Sequence, residues 1–207
     1  KSYPVIYVQN VSGGGATTLT PFSGSNLSPS FSPDGSKILF SSSFEGSADI
    51  YEMSASGGTP RRLTNLPSSE VQPSYAPDGK SFVFVSDKTG FNKPQVYRYE
   101  FATGQTIKVS NGGYATSPQF SSDGTQIAFL SGRSAAIMNS NGAITNNLGN
   151  TGIDEAPSFS PNGKRVVYAS TQGGKGVLTI KSLNGGEAFG KSGQGVIRSP
   201  VWSSSPK

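Results

Sequence analysis

The chain has 207 residues, with 17 Lys and Arg against 12 Asp and Glu, a net charge of +5, and neither Cys nor His. That composition excludes disulfides, thiolate sites, a histidine base, a Ser-His-Asp triad and the common zinc centres, leaving any chemistry to carboxylates, Lys, Tyr or Ser. Gly and Pro number 27 and 14, which makes the chain turn-rich, and no apolar run approaches the ~18 residues of a membrane-spanning helix.

The chain opens on "KSYPVIYVQN", which is strand-like, with no initiator Met and no signal peptide; this reads as a processed or truncated piece. Residues 5–20, "VIYVQNVSGGGATTLT", look like the third and fourth strands of a four-stranded unit. Four longer stretches then align: "PSFSPDGSKILFSS" from Pro29, "PSYAPDGKSFVFVS" from Pro73, "PQFSSDGTQIAFLS" from Pro118 and "PSFSPNGKRVVYAS" from Pro157. A fifth, "PVWSS", starts at Pro200. The spacings of 44, 45, 39 and 43 residues, with several short strands per unit, are the signature of β-propeller blades.

Within each unit the first strand is short and ends on an aromatic residue (Phe31, Tyr75, Phe120, Phe159, Trp202). A turn such as Pro33-Asp34-Gly35 follows: Pro presets φ, Asp bonds its own backbone and Gly takes the left-handed position. Asp34, Asp78, Asp123 and Asn162 recur there, which reads as turn chemistry. The second strand is a continuous apolar run, as in Phe82-Val83-Phe84-Val85, suited to burial on both faces. A third strand leads through Gly57, Gly104, Gly142 or Gly185 into a more polar fourth, whose Lys and Arg suit an outer edge.

One motif competes with this frame. Gly185-x-x-x-x-Gly190-Lys191-Ser192 spells a phosphate-binding loop. Gly185 lies 28 residues after Pro157, as Gly57 lies 28 after Pro29, so "LNGGEA" is the turn that "ASGGTP" is one unit earlier. A phosphate loop needs a helix behind it, and "GQGVIRSPVW" offers none.

The predicted fold is therefore all-β: a β-propeller of four-stranded antiparallel blades. Residues 1–27 are the end of a split blade, residues 28–71, 72–117, 118–156 and 157–199 are blades, and residues 200–207 are the closing inner strand. Second strands number one fewer than first strands, so a cut arc of a larger ring is favoured over a closed five-bladed one. Such an arc predicts an exposed apolar edge. Lys and Arg are scattered one or two at a time, a solvated surface that argues against nucleic acid, though the sign would help attract an acidic partner.

The approaches to the first strands, Ser25 to Ser28, Ser69 to Gln72, Tyr114 to Ser117, Ile153 to Ala156 and Ile197 to Ser199, are predicted as the longer, variable loops of one face. Loops on a rigid scaffold carry binding residues. Asp154 and Glu155 are adjacent carboxylates. Neighbours on a strand approach point to opposite sides, which disfavours a shared acid–base role and leaves a weak Ca2+ contact as the one cofactor reading.

The repeated "FSPDGSKILF" units, "DIYEMSASGGTPRRLT", "PQVYRYEFATGQ" and "DEAPSFSPNGKRVVYASTQGGKGVL" resemble the propeller of the TolB family, periplasmic components of the Tol–Pal system. The unit endings, Pro-Asp-Gly twice, Ser-Asp-Gly, Pro-Asn-Gly and then Pro-Val-Trp, are similar to the last five of that family's six units. The resemblance implies a non-enzymatic periplasmic propeller of six blades that supports outer-membrane integrity and cell division. It implies docking of the lipoprotein Pal at the channel mouth, competition there by colicin translocation peptides, and contact with TolA only through an N-terminal segment not matched here. Ser25, Ser28, Val71 and Gln72 carry over as contact positions; where the family has a carboxylate this chain has Gln72, with Glu70 nearby. Tyr114, Thr116, Asp154, Glu155 and Arg198 complete the candidate partner-binding set. No membrane insertion and no catalytic residue are expected. Two other readings stay open. One is a propeller attached to a serine peptidase, although this chain has no G-x-S-x-G elbow. The other is a ligand-binding propeller, for which only Phe44, Phe91 and Tyr114 offer loop aromatics.

Overall fold

A computed structural model describes residues 3–20, 23–151, 156–172, 175–186, 189–192, 197 and 200–202. Among the described residues eighteen strands run in chain order: β1 Tyr7–Val8, β2 Thr17–Thr18, β3 Asn26–Phe31, β4 Lys37–Ser42, β5 Asp49–Ser54, β6 Arg61–Arg62, β7 Glu70–Tyr75, β8 Ser81–Ser86, β9 Gln95–Glu100, β10 Thr106–Lys108, β11 Ala115–Phe120, β12 Gln126–Ser131, β13 Ser134–Asn139, β14 Ile144–Asn150, β15 Ser158–Phe159, β16 Arg165–Gln172, β17 Lys175–Ser182 and β18 Phe189–Ser192. They form one two-stranded pair, β1–β2, and four four-stranded sheets, β3–β6, β7–β10, β11–β14 and β15–β18, in which sequence neighbours are sheet neighbours. The fold class is the predicted one. No described helix is long and apolar enough to cross a membrane.

The hairpin between first and second strands explains itself locally. Asp34 Oδ1 accepts from Ser32 Oγ (2.6 Å) and Ser36 N (3.0 Å), while Gly35, at φ 72°, donates to Ser32 O (2.9 Å). Asp123 and Asn162 repeat the arrangement with Ser121 and Ser160. These hydroxyl and amide donors hold the exposed Asp34 carboxyl at about 2 and lower that of Asp123. The aspartates are turn residues, each satisfied within its own turn.

The first strands differ from the expected short segments. β3, β7 and β11 each begin three residues before the Pro, so the supposed approach loops are largely strand. A Pro within a strand ordinarily breaks the ladder. Here a bulge absorbs it: Leu27 pairs with Ser41 and Ser30 with Leu39, leaving Ser28 and Pro29 opposite Phe40 alone. The same shift separates Val71 from Ser74 and Thr116 from Gln119.

The chain divides into two compact units, Lys1–Ile107 and Lys108–Lys207. In the first, the second-strand runs are buried as predicted, and Phe82, Val83 and Phe84 are wholly inaccessible. Leu39 and Ile50 meet Tyr75, Phe82, Phe84 and Tyr97 in a core between the two four-stranded sheets. Ile6 and Leu19, flanking β1 and β2, pack on Ile38, Phe40, Tyr51 and Met53 at the other face of the β3–β6 sheet. Each such side chain contributes about 2–3 kcal/mol by leaving water. In the second unit the core gathers Ala128, Ile137, Leu148, Phe159, Val166 and Tyr168.

The Gly190-Lys191-Ser192 stretch lies in β18, where Gly190 pairs with Thr179 and Lys191 with Leu178 of β17. It is the outer strand of the β15–β18 sheet. Of the closing strand expected over residues 200–207, Pro200, Val201 and Trp202 are not in a strand and the rest lies outside the described residues.

Candidate functional site on the first strands

In the first unit β3 and β7 lie side by side and in step. Tyr75 N–H donates to Ser30 Oγ at 3.3 Å, and a Cβ built on Gly79 would lie 3.9 Å from Pro33 Cδ, so equivalent positions of the two strands are neighbours. At the ends remote from the Asp-Gly turns stand Ser25 and Ser28 on one strand and Val71 and Gln72 on the other. Ser28 is exposed, whereas Ser25, Val71 and Gln72 are half-buried.

The backbone there is strained in the same way each time. Ser28, Gln72 and Ser117 have φ of 54°, 55° and 55°, the left-handed region, and each immediately precedes Pro. Non-glycine residues avoid that region, and residues before Pro are restricted further. Only one other described non-glycine residue, Asn92, shares it. Strain of this kind persists where the surrounding sheet over-determines it, and it clusters at ligand-binding positions. The bulge turns Ser28 and Pro29 out of the ladder, and Leu27, which is not among the candidates named from the sequence, is 48% exposed beside Ser28.

Ser25 is anchored. Its N–H donates to Ser43 Oγ (3.1 Å) and its carbonyl accepts from Ser43 N–H (3.2 Å). Glu70, expected as an exposed contact, is instead fully buried. Its Oε1 accepts from Ser68 Oγ (2.6 Å) and Ser86 Oγ (2.8 Å), and its N–H donates to Ala48 O (2.7 Å). The reason is the pleat: Glu70 pairs with Ser86 at the first rung of the ladder, on the inward side. Burial is the main force raising its carboxyl pKa. In the second unit Tyr114 is exposed, and Thr116, half-buried on β11 beside the third strained residue, pairs with Leu130 of β12. Asp154, Glu155 and Arg198 lie outside the described residues.

At the opposite ends of β3 and β7 a cavity of about 450 Å3 is lined by Lys37, Glu52, Arg61, Tyr75 and Phe101 among others. The buried Glu52 carboxylate is saturated there by Lys37 (3.3 Å), Arg61 (2.9 Å) and the Tyr75 hydroxyl (2.8 Å). Oε2 is engaged by both cations and Oε1 by the tyrosine of the next sheet, so this acid serves to tie the two sheets together. Among the described residues no group of three or more carboxylates is placed to hold a metal ion.

The comparisons agree with this architecture. The TolB beta propeller domain family matches residues 1–206. A Tol-Pal system protein TolB of Francisella tularensis subsp. mediasiatica is 34% identical over 218 residues, covering 96% of this chain and 48% of the relative. A counterpart in Acinetobacter baylyi is 48% identical over 68 residues, 32% of this chain and 16% of its own. The crystal structure of TolB from Acinetobacter baumannii superposes with a TM-score of 0.83 at 39% identity, over 95% of this chain and 51% of that one. The chain spans about half the length of the relatives it matches end to end. With four repeated sheets, a bulged first strand in three of them and a match over nearly every residue, the chain belongs to the TolB β-propeller domain family.

Proposed function

We propose that this chain is the propeller portion of a Tol–Pal component. It works in the periplasm without chemistry of its own and docks the lipoprotein Pal on the strained ends of its first strands. In this role it supports outer-membrane integrity and cell division. The observation that carries the reading is the repeated left-handed backbone at Ser28, Gln72 and Ser117. A bulge that recurs at one rung of successive sheets presents side chains off the ladder, which an ordinary strand end does not require. The rim offers Leu27 and Val71 as apolar contacts and Ser28 and Gln72 as polar ones. Colicin translocation peptides would compete for the same rim, and any contact with TolA would use chain outside this sequence. A Glu52 held between two cations and a tyrosine, turn-bound aspartates and the lack of His and Cys support a binding role over an enzymatic one.

A standard-size interface would bury about 1,600 Å2 in total. Replacing Leu27 and Val71 together by Arg puts two unpaired charges on the rim. We expect Pal affinity, measured by calorimetric titration, to fall at least about tenfold, about 1.4 kcal/mol. The circular dichroism spectrum should stay unchanged. Unaltered affinity would remove this rim as the docking site.

A further inference from the structure

Glu70 sits at the rung occupied by Asn26 one sheet earlier: Asn26 pairs with Ser42, and Glu70 with Ser86. Both side chains face inward. Asn26 uses both halves of its amide. Its Oδ1 accepts from Ser42 Oγ (2.7 Å), and its Nδ2 donates to Pro4 O (3.3 Å) in the segment before β1. The backbone repeats the link, with Asn26 N–H donating to Pro4 O and Glu70 N–H to Ala48 O. The position therefore calls for a side chain that accepts on one atom and donates on the other.

Glu70 does the accepting on Oε1, which takes the Ser68 and Ser86 hydroxyls. Its other oxygen, Oε2, is buried and receives no N–H or O–H. The neighbour within hydrogen-bonding reach is another carboxyl, that of Asp49, which follows Ala48 and is itself wholly buried. Asp49 already accepts from Arg62 Nη2 (2.5 Å), Thr64 Oγ1 (2.9 Å) and Leu66 N (3.4 Å). Two bare carboxylates cannot share such a space, and Asp49, whose oxygens already take the Arg62 guanidinium and two further donors, is placed as the acceptor of the pair.

We propose that Glu70 is protonated in the folded chain and donates its proton from Oε2 to Asp49. This single buried acid–carboxylate bond clamps the start of β7, and with it Val71 and Gln72, to β5 of the preceding sheet. The clamp is a pH-sensitive support for the rim and, as regulation of that rim, rests on the docking reading; its existence does not. Around Glu70 stand Asp49 from β5, Arg62 from β6 held through Asp49, Tyr97 from β9 with Lys88 Nζ 4.7 Å over its ring, and the hydroxyls of Ser68 and Ser86. Burial first, then the Asp49 charge, pushes the Glu70 carboxyl above its ordinary value of 4.5, against the lowering effect of the two serines.

The sign of the linkage is fixed by that direction. Above 4.5 the unfolded chain releases the Glu70 proton while the folded chain keeps it, so this group's contribution falls as pH rises, until the folded carboxyl itself ionises. Each unit of elevation lowers the folded-to-unfolded ratio about tenfold across that window.

The test needs no partner, so failure of the docking reading leaves it intact. Urea unfolding of the 207-residue chain and of Glu70→Gln is followed from about pH 5 to about pH 8. Gln accepts on Oε1 and donates from Nε2, as Asn26 does. We expect Glu70→Gln to match the parent at the acid end, to exceed it at the alkaline end, and to flatten the decline. An undiminished decline in Glu70→Gln, or a variant weaker than the parent at every pH, overturns the proposal. Difference infrared spectra of the parent in neutral buffer provide a readout that does not depend on the variant folding. A protonated-carboxyl band that disappears as pH is raised is the expected result, and absence of any such band overturns the proposal equally.

Discussion

Ser28 shows how a single backbone angle couples stability to function. At φ 54° its Cβ crowds the neighbouring carbonyl, a cost of about 1–2 kcal/mol that Gly does not carry. Gly in turn loses more chain entropy on folding, about 0.5–1 kcal/mol. Ser28→Gly should therefore raise stability by up to about 1 kcal/mol, whereas Ser28→Val, β-branched at a left-handed position, should lower it by about as much or more. Urea midpoints at constant m-value read both, and the reverse order would show that the bulge is not under strain. The same residue marks the limit of sequence reading. Its place beside Pro29 was visible and its candidacy came from the family resemblance, but neither Ser nor Gln signals a left-handed backbone as Gly or Asn does. Glu70 fails differently. The residue type and loop-like surroundings, "PSSEVQ", suggested an exposed acid, and only the pairing with Ser86 reveals that it points inward.

At the scale of the strand, the second strands were the most legible elements. Three or four consecutive apolar residues put apolar side chains on both faces, so β4, β8 and β12 had to be covered on both sides. Phe84 measures the consequence. It is wholly buried with Leu39, Ile50 and Tyr97 around it, and Phe84→Ala should cost about 3–5 kcal/mol through lost burial and a residual cavity. Phe31→Ala at the end of β3, where the ring is 56% exposed, should stay within about 0.5 kcal/mol. Equal losses at the two sites would mean that the core around Phe84 is not the one that holds the sheets. The first strands were legible only from the Pro onward. A Pro looks like a strand boundary because it lacks the ladder N–H, and the bulge that lets the strand continue through it depends on the partner strand. Nothing within six residues of sequence encodes that partner.

Over the whole molecule, the period was readable because every sheet is a meander. Each strand pairs with its neighbour in sequence, so some forty residues contain all the information for one sheet. What a repeat cannot encode by itself is its attachment to the next one. In the first unit that attachment includes Asn26 N–H to Pro4 O, Glu70 N–H to Ala48 O, Tyr75 N–H to Ser30 Oγ and the Tyr75 hydroxyl to Glu52 Oε1. These use residues that read as unremarkable loop or edge positions. The stability of such a chain is a sum over repeats and their nearest-neighbour contacts, and within each sheet it should be graded from the middle outward. β4 and β5, β8 and β9, β12 and β13 are hydrogen-bonded on both sides and lined by buried residues. β6 and β10 are short outer strands of two and three residues with exposed or half-exposed side chains. Native-state hydrogen exchange should thus protect the amides of Leu39, Tyr51, Phe84, Tyr97, Phe129 and Ile137 most strongly, with Arg61, Arg62, Ile107 and Lys108 exchanging orders of magnitude sooner through local opening. If outer and middle strands exchanged together, the sheets would open only as wholes. The contacts between neighbouring sheets, more than the ladders within them, would then set the stability of the first-strand rim.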